Sequence, residues 1–358
     1  MQKQDRCPVG RRVRTDTAVT GVLGRFIALA AALAVLGACE RPSAKAPATV
    51  EITDQLDRQV VLPARIDRVA ALHHFGGKIV YALGQQDKLV EQSIYGSEAK
   101  ALAAVDPQFA AMPKFQQGAN ANVESLVALK PQVVFVYASF GRAEMTLLEN
   151  AGLRVVAVRG ERLEESFAAV ELVGKVLNCP EKARRYVAAC RQIVDLVARR
   201  IADIAPSERA RVLFAGPKSA YTAATGEMLQ TEIIERAGGF NVAGGLKGFW
   251  ADISPEQVAA WNPDVIFLGS YLGSYSIDNI LQDSQFAMVA AVHNKRIYAF
   301  PSNIGWWDYP APHCALGILW TAKALYPERF GDVDVLKTAD DFYGRFMGHT
   351  FTEMGGRL

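Results

Sequence analysis

At 358 residues, half of them hydrophobic and about a fifth charged, the chain is too long for one ordinary domain and too apolar for a disordered, collagen-like or low-complexity polymer. The formal net charge of +2 hides a split: residues 1–38 hold six Lys/Arg against two Asp/Glu, and the rest carries 33 basic against 35 acidic side chains. A body so near neutrality has no electrostatic footprint for nucleic acid, and that class of partner is excluded.

The basic surplus sits where an export signal needs it. Arg11, Arg12, Arg14 and Arg25 precede an apolar run from Phe26 to Leu36, and Gly37-Ala38-Cys39 follows. A short apolar core with a basic flank and small residues at its end reads as a cleaved signal rather than a membrane span. The Cys at that position resembles a bacterial lipobox, which implies that residues 1–38 are removed and that the Cys39 thiol is diacylated. The protein is then exported and held by lipid at the periplasmic face of a bacterial membrane. The other reading is an ordinary signal with a Cys there by chance. Residues 39–49, rich in Pro, Ala and Ser, read as a tether.

Three cysteines remain in the body, Cys179, Cys190 and Cys314. On a helix from Glu181 the first two lie roughly 16 Å apart at ~1.5 Å per residue, beyond the ~7 Å a disulfide spans. Without CxxC spacing they read as buried apolar residues rather than a metal cluster.

Next along the chain comes a weak duplication. Glu124 to Phe135 resembles Glu256 to Phe267 at a constant offset of 132, which also pairs Ala128 with Ala260, Pro131 with Pro263 and Val133 with Val265. In each copy a short helix starts near the Glu, a Pro stops it, and an apolar β-rich run forms a buried strand. Flanking strands are expected at 68–72 and 153–158 in the first half, and at 211–215 and 296–300 in the second. Helices are expected at 166–177 and 315–325. Alternating strands and helices predict an α/β fold of two duplicated lobes with mostly parallel sheets. Residues 50–179 form the N-terminal lobe and 205–358 the C-terminal lobe. Between them, 180–204 predicts one long helix, with Pro at its first turn and Ala188, Ile193, Leu196, Val197 and Ile201 on its apolar face. Such a connector limits hinge motion and sets the strand-end loops of the two lobes face to face, where α/β sheets bind ligands.

The ordered set of features now resembles a known family. Asn122-Val123-Glu124 with Leu129-Lys130-Pro131, the segment Ala237-Gly238-Gly239-Phe240-Asn241, and Trp307-Asp308-Tyr309-Pro310 with its following helix are similar to the helical-backbone substrate-binding proteins. These serve ABC importers of iron–siderophore complexes, haem and cobalamin. The resemblance covers roughly Val50 to Phe346. It implies a binding protein without chemistry of its own or an intrinsic cofactor, working with a permease dimer and its ATPase. It also implies that Glu124 and Glu256 dock onto the two permease subunits. Both are also simply acids favoured at a helix start.

Ligand candidates follow from the strand ends. His73 and His74 come directly after the first strand, and neutral imidazole ligates metals or donates to ligand oxygens. The bland reading has one packed and one solvent-facing His. Tyr95, Gln116, Gln117, Tyr137, Phe140 and Arg142 occupy further first-lobe loops. Arg142 is either a bidentate partner for ligand oxygens or a solvated helix-start charge. The second lobe offers Tyr221, Phe249, Trp250, Tyr271, Tyr275, Trp306, Trp307 and Tyr309, an aromatic wall suited to a large flat ligand. Core packing is expected for Trp261, Trp320 and at least one of Trp306 and Trp307. His73, His74, Tyr271 and Trp307 are expected to face one another across the cleft, with Arg142 at its rim.

The cargo is expected to be an iron or other metal complex, with ferric siderophore first, then haem or cobalamin, then a small nickel or other metal chelate. The competing classes are an extracytoplasmic enzyme and a sensor lobe. No G-x-S-x-G, H-E-x-x-H, P-loop or post-strand G-x-G-x-x-G supports an enzyme.

Overall fold

Every residue of the strand Val133–Tyr137 is buried, as its run of β-branched and aromatic side chains demands. It is the middle strand (β4) of a parallel three-stranded sheet, between β3 (Val69–Ala71) and β5 (Val155–Val158). An antiparallel hairpin, β1 (Thr49–Thr53) with β2 (Gln59–Pro63), precedes them. It is fastened to the sheet by Asp54, which accepts from the backbone N–H of Leu56, Arg58 and Ala157 at 3.0–3.1 Å. In the second lobe β6 (Arg211–Gly216) lies at the centre. It pairs in parallel with β10 (Val265–Leu268), which pairs in parallel with β11 (Ile297–Ala299). On its other side β7 (Ser219–Ala224) and then β9 (Trp250–Asp252) run antiparallel, and the two-residue β8 (Phe240–Asn241) also pairs with β6. The computed structural model describes residues 48–114, 122–270, 275–301 and 303–358. The fold is the α/β, mostly parallel two-lobe arrangement that the duplication implies.

The duplication extends to atomic detail. The Asn-type left-handed turn that ends each repeat helix falls on Lys130 (φ 50°) and Asn262 (φ 41°), immediately before the two prolines. The stop is therefore the left-handed residue itself, kept out of the helical region by the proline that follows. In each lobe an arginine at the foot of the first strand then clamps the helix end. Arg68 Nε donates to the Leu129 carbonyl at 3.1 Å, and Arg211 Nε to the Trp261 carbonyl at 3.2 Å.

Strand alternation divides the core. Val133, Phe135, Val265 and Phe267 face inward into one cluster shared by both lobes and the helices between them. Val134 and Val136 face an outer cluster of the first lobe, and Ile266 and Leu268 an outer cluster of the second. The helix between the lobes in sequence runs Pro180–Arg200, 21 residues. Its buried stripe is Ala183, Tyr186, Val187, Cys190 and Val197, whereas Ala188, expected on that face, is exposed. It ends at Arg200, short of the expected residue 204, and there Arg200 and Arg329 exchange guanidinium-to-carbonyl hydrogen bonds at 2.6 and 3.0 Å. Cys190 and Cys314 are buried, Cys179 is half-buried, and all three are free. Among the described residues no helix is long and apolar enough to cross a membrane.

Candidate functional site

The first-lobe end of the site is built by the helix His74–Ala82, which starts three residues after the end of β3. His73 is its N-cap, in extended backbone, and its Nδ1 accepts from the Phe75 N–H at 3.2 Å. Gly77 lets this first turn lie flat on the chain beside it, since a Cβ there would collide with Ser93. The close fit sets two imidazoles at the strand ends. The His73 ring lies 4.1 Å from that of His74 and 4.4 Å from that of Tyr137, whose hydroxyl donates to Glu161 at 2.7 Å. His74 Nδ1 is 2.9 Å from the Tyr95 hydroxyl, and its Nε2 is buried with no hydrogen-bond partner in the protein.

One turn further on, Lys78 is buried at 2% exposure and ion-paired with Glu98 at 2.7 Å. Removing either partner of such a pair costs ~3–5 kcal/mol, because the survivor stays buried. Lys78 also reaches the second lobe. Its ammonium donates to the Gly305 carbonyl at 3.3 Å and lies 5.4 Å from the centre of the Trp306 ring. The same carbonyl accepts from His313 Nε2 at 2.8 Å. Two consecutive positive φ angles, 87° at Gly305 and 44° at Trp306, turn the chain sharply there. The Trp306 ring then meets the edge of His74 at 5.7 Å and Tyr309 at 5.6 Å. Asp308, fully buried, accepts from the Ser270 N–H at 2.7 Å and from its hydroxyl, which ties this loop to the end of β10. Its burial raises its pKa against those same hydrogen bonds.

The imidazoles are neutral at ordinary pH. Burial, then the Lys78 charge, lowers the His73 pKa to about 4. His74 is pushed well below its usual value by burial, Lys78 and His73. His313 falls to about 3, through burial and Lys78 against its hydrogen bond to Gly305. Neutrality fixes one tautomer. His73 Nδ1 already accepts a backbone N–H, so a neutral ring carries its proton on Nε2.

The sequence candidates divide accordingly. His73, His74, Tyr95, Tyr137 and Tyr309 share the site, together with Trp306. Trp307 does not. It is fully buried, its Nε1 donates to the Tyr343 hydroxyl at 3.1 Å, and its ring packs 5.0 Å from Phe351. The sharp turn at Trp306 throws the two consecutive indoles to different environments. Tyr221 is also elsewhere. It packs on the outer cluster of the second lobe, 5.2 Å from Phe286, and donates to Asp283 at 2.6 Å. Trp250 lies beside Phe214 at 6.4 Å, against the shared core. Arg142 is exposed and lines a separate groove of about 450 Å³ with Arg58, Val60 and Glu149, so it is not at the rim of the imidazole site. Tyr271, Gln116, Gln117 and Cys39 lie outside the described residues. Glu124 and Glu256 are exposed at the same position of equivalent helices, each N-capped by the residue two before it, Asn122 and Ser254.

Lys78, Glu98, Gly305 and Asp308 were not foreseen. A single Lys inside the apolar stretch Phe75–Ala82 is the signal that would have found the first. Among the described residues no three His, Cys, Asp or Glu side chains converge as a metal-ligand set.

The two-lobe α/β fold thus brings His73, His74 and the Trp306 loop together beyond strand ends. The sequence model of the Periplasmic binding protein family matches residues 69–304, and the chain belongs to that family. Among its relatives, the molybdate-binding protein MolA of Haemophilus influenzae is 32% identical over 322 residues, 82% of this chain and 90% of that one. The molybdate-bound MolA structure superposes with a TM-score of 0.74 at 28% identity, over 84% of this chain and 98% of that one. A vitamin B12-binding protein of Yersinia pestis is 26% identical over 62% of this chain and 75% of its own length. The nickel-bound CeuE structure of Helicobacter pylori shares the fold, with a TM-score of 0.71 at 20% identity over 86% of this chain and 98% of that one.

Proposed function

We propose that the chain is the substrate-binding component of an ABC importer and that its cargo is a compact oxygen-rich metal anion of the molybdate class. The carrying observation is the hydrogen bond by which His73 Nδ1 accepts the Phe75 N–H at 3.2 Å. With Nδ1 occupied by the Phe75 N–H and the ring neutral, Nε2–H is a donor, and a donor engages ligand oxygen rather than a metal ion. The nine-residue helix that starts at His74 adds the positive end of its dipole, and the unpartnered His74 Nε2 adds a second polar group. The 32% identity to a molybdate-binding protein supports the same class of cargo. A metal brought with its own oxygens also needs no converging protein ligands.

Ferric siderophore, haem or cobalamin is the second reading. Tyr95, Trp306 and Tyr309 favour it as an aromatic rim, although Trp307 and Tyr221 do not contribute. In either case Glu124 and Glu256 are proposed as the contacts to the two permease subunits, and Cys39 as the lipid anchor of a body divided at 50–179, 180–204 and 205–358. The reading assigns the chain no catalysis. Native mass spectrometry and metal analysis of protein purified from its own host test it. A bound molybdenum or tungsten oxyanion is the expected result, and a bound siderophore or tetrapyrrole would replace the first reading by the second.

A further inference from the structure

We propose that a groove at the start of the connecting helix is a second anion site, taking a phosphoryl group. It has a volume of about 210 Å³ and is lined by Lys182 and Arg185 of that helix, Arg345 and Phe346 from the end of the helix Val335–Met347, and Gly84 beyond the end of the His74–Ala82 helix. It is thus separated from the imidazole site by the length of a nine-residue helix, roughly 13 Å at ~1.5 Å per residue.

Three cations line one small groove. Elsewhere the guanidinium groups of Arg58, Arg200, Arg236 and Arg329 each hold a carboxylate. Among the described residues no carboxylate lies within ion-pair distance of Lys182, Arg185 or Arg345. Two acids near them in sequence are already engaged, Glu181 with Arg184 and Asp341 with Lys337. The Lys182 ammonium donates to the Gly84 carbonyl at 3.4 Å. The Arg345 guanidinium sits 5.0 Å above the Phe346 ring, an arrangement that leaves its N–H edge available.

Like charges gathered this way repel one another, and a dianionic phosphoryl group offsets that repulsion while accepting charge-assisted hydrogen bonds from both arginines. Lys182 lies in the first turn of the 21-residue helix, whose positive end adds to the field. The phosphoryl group comes either from an anionic phospholipid, near at hand for a lipid-anchored protein, or from a soluble phosphate.

The test titrates inorganic phosphate into the full-length chain and into its Arg185→Glu/Arg345→Glu variant, following backbone amide shifts around Gly84 and Lys182. Both changes are on exposed positions, and circular dichroism with thermal melting checks the fold. Phosphate should perturb those amides at constant ionic strength, and the variant should bind about tenfold more weakly or worse, as loss of charged hydrogen bonds predicts. Cosedimentation with phosphatidylglycerol against phosphatidylcholine vesicles separates the sources. Retention on phosphatidylglycerol that the variant loses assigns a lipid headgroup, and phosphate binding without vesicle retention assigns a soluble phosphate. An equal phosphate response in the folded variant, or a response to chloride of the same size, would overturn the proposal. So would no response to either probe.

Discussion

His73 does two jobs that separate by substitution. As N-cap it accepts from Phe75, and in the proposed reading its neutral ring presents Nε2–H to the cargo. Asparagine caps a helix start as well as any residue but cannot reach the same ligand oxygen. His73→Asn is therefore expected to melt within a few degrees of the parent while losing ligand affinity roughly ten- to a hundredfold, the worth of one hydrogen bond to a charged partner. Thermal melting and calorimetry on the same sample check both halves. Three imidazoles, buried at His74 and His313 and half-buried at His73, also make stability depend on pH. Their folded pKa values lie below the unfolded value of 6.5, at about 4 for His73 and about 3 for His313, so the unfolded chain binds protons that the native state refuses. Stability should be fully present above pH 6.5 and fall as the pH drops toward 4, by up to ~1.4 kcal/mol per pH unit for each proton taken up. Urea titrations between pH 7 and 4.5 measure this, and His73→Asn should lose one proton's share of the slope. Two adjacent histidines after a strand were legible in the sequence, and the structure sets their rings 4.1 Å apart. Which of Trp306 and Trp307 faced them was not legible, because the choice depends on two positive φ angles that composition does not encode.

At the scale of elements, the repeat was readable because each copy must solve the same problem. An apolar strand buried on both faces follows a short helix, and Pro131 and Pro263 mark the stop. The clamps by Arg68 and Arg211 were not readable, since they join residues about 50 to 60 positions apart to carbonyls that carry no sequence signal. The left-handed residues differ in cost. Asn tolerates that region, whereas Lys is strained in it. Lys130→Gly should therefore stabilise the chain by about 0.5–1 kcal/mol, and Asn262→Gly should be nearly neutral. Urea midpoints of the two variants compare them directly, and equal shifts would mean that the Lys130 backbone is not strained. The buried face of the connecting helix was misjudged at Ala188 because alanine fits either face. Its true stripe is decided by Tyr186 and Cys190, which pack into the shared core.

For the whole molecule, the shared inner core couples both sheets to the helices between them. The exposed acids stand apart from that core, on the first turns of equivalent helices. Glu124→Ala and Glu256→Ala should consequently leave cargo affinity nearly intact and impair uptake. Transport assays in cells with calorimetry on the purified variants check this, and loss of cargo binding in a folded variant would move that Glu into the site. The fold class was legible because strand and helix periods persist over long stretches. The cargo was not, because in the proposed reading it turns on which nitrogen of His73 carries a proton, and the residue type does not encode that. Calorimetric titration of the full-length chain with molybdate, a ferric siderophore and cobalamin tests the central claim most directly. Saturable 1:1 binding of molybdate, weakened by His73→Asn, is the predicted result. Binding of the siderophore or cobalamin with no heat from molybdate would contradict it.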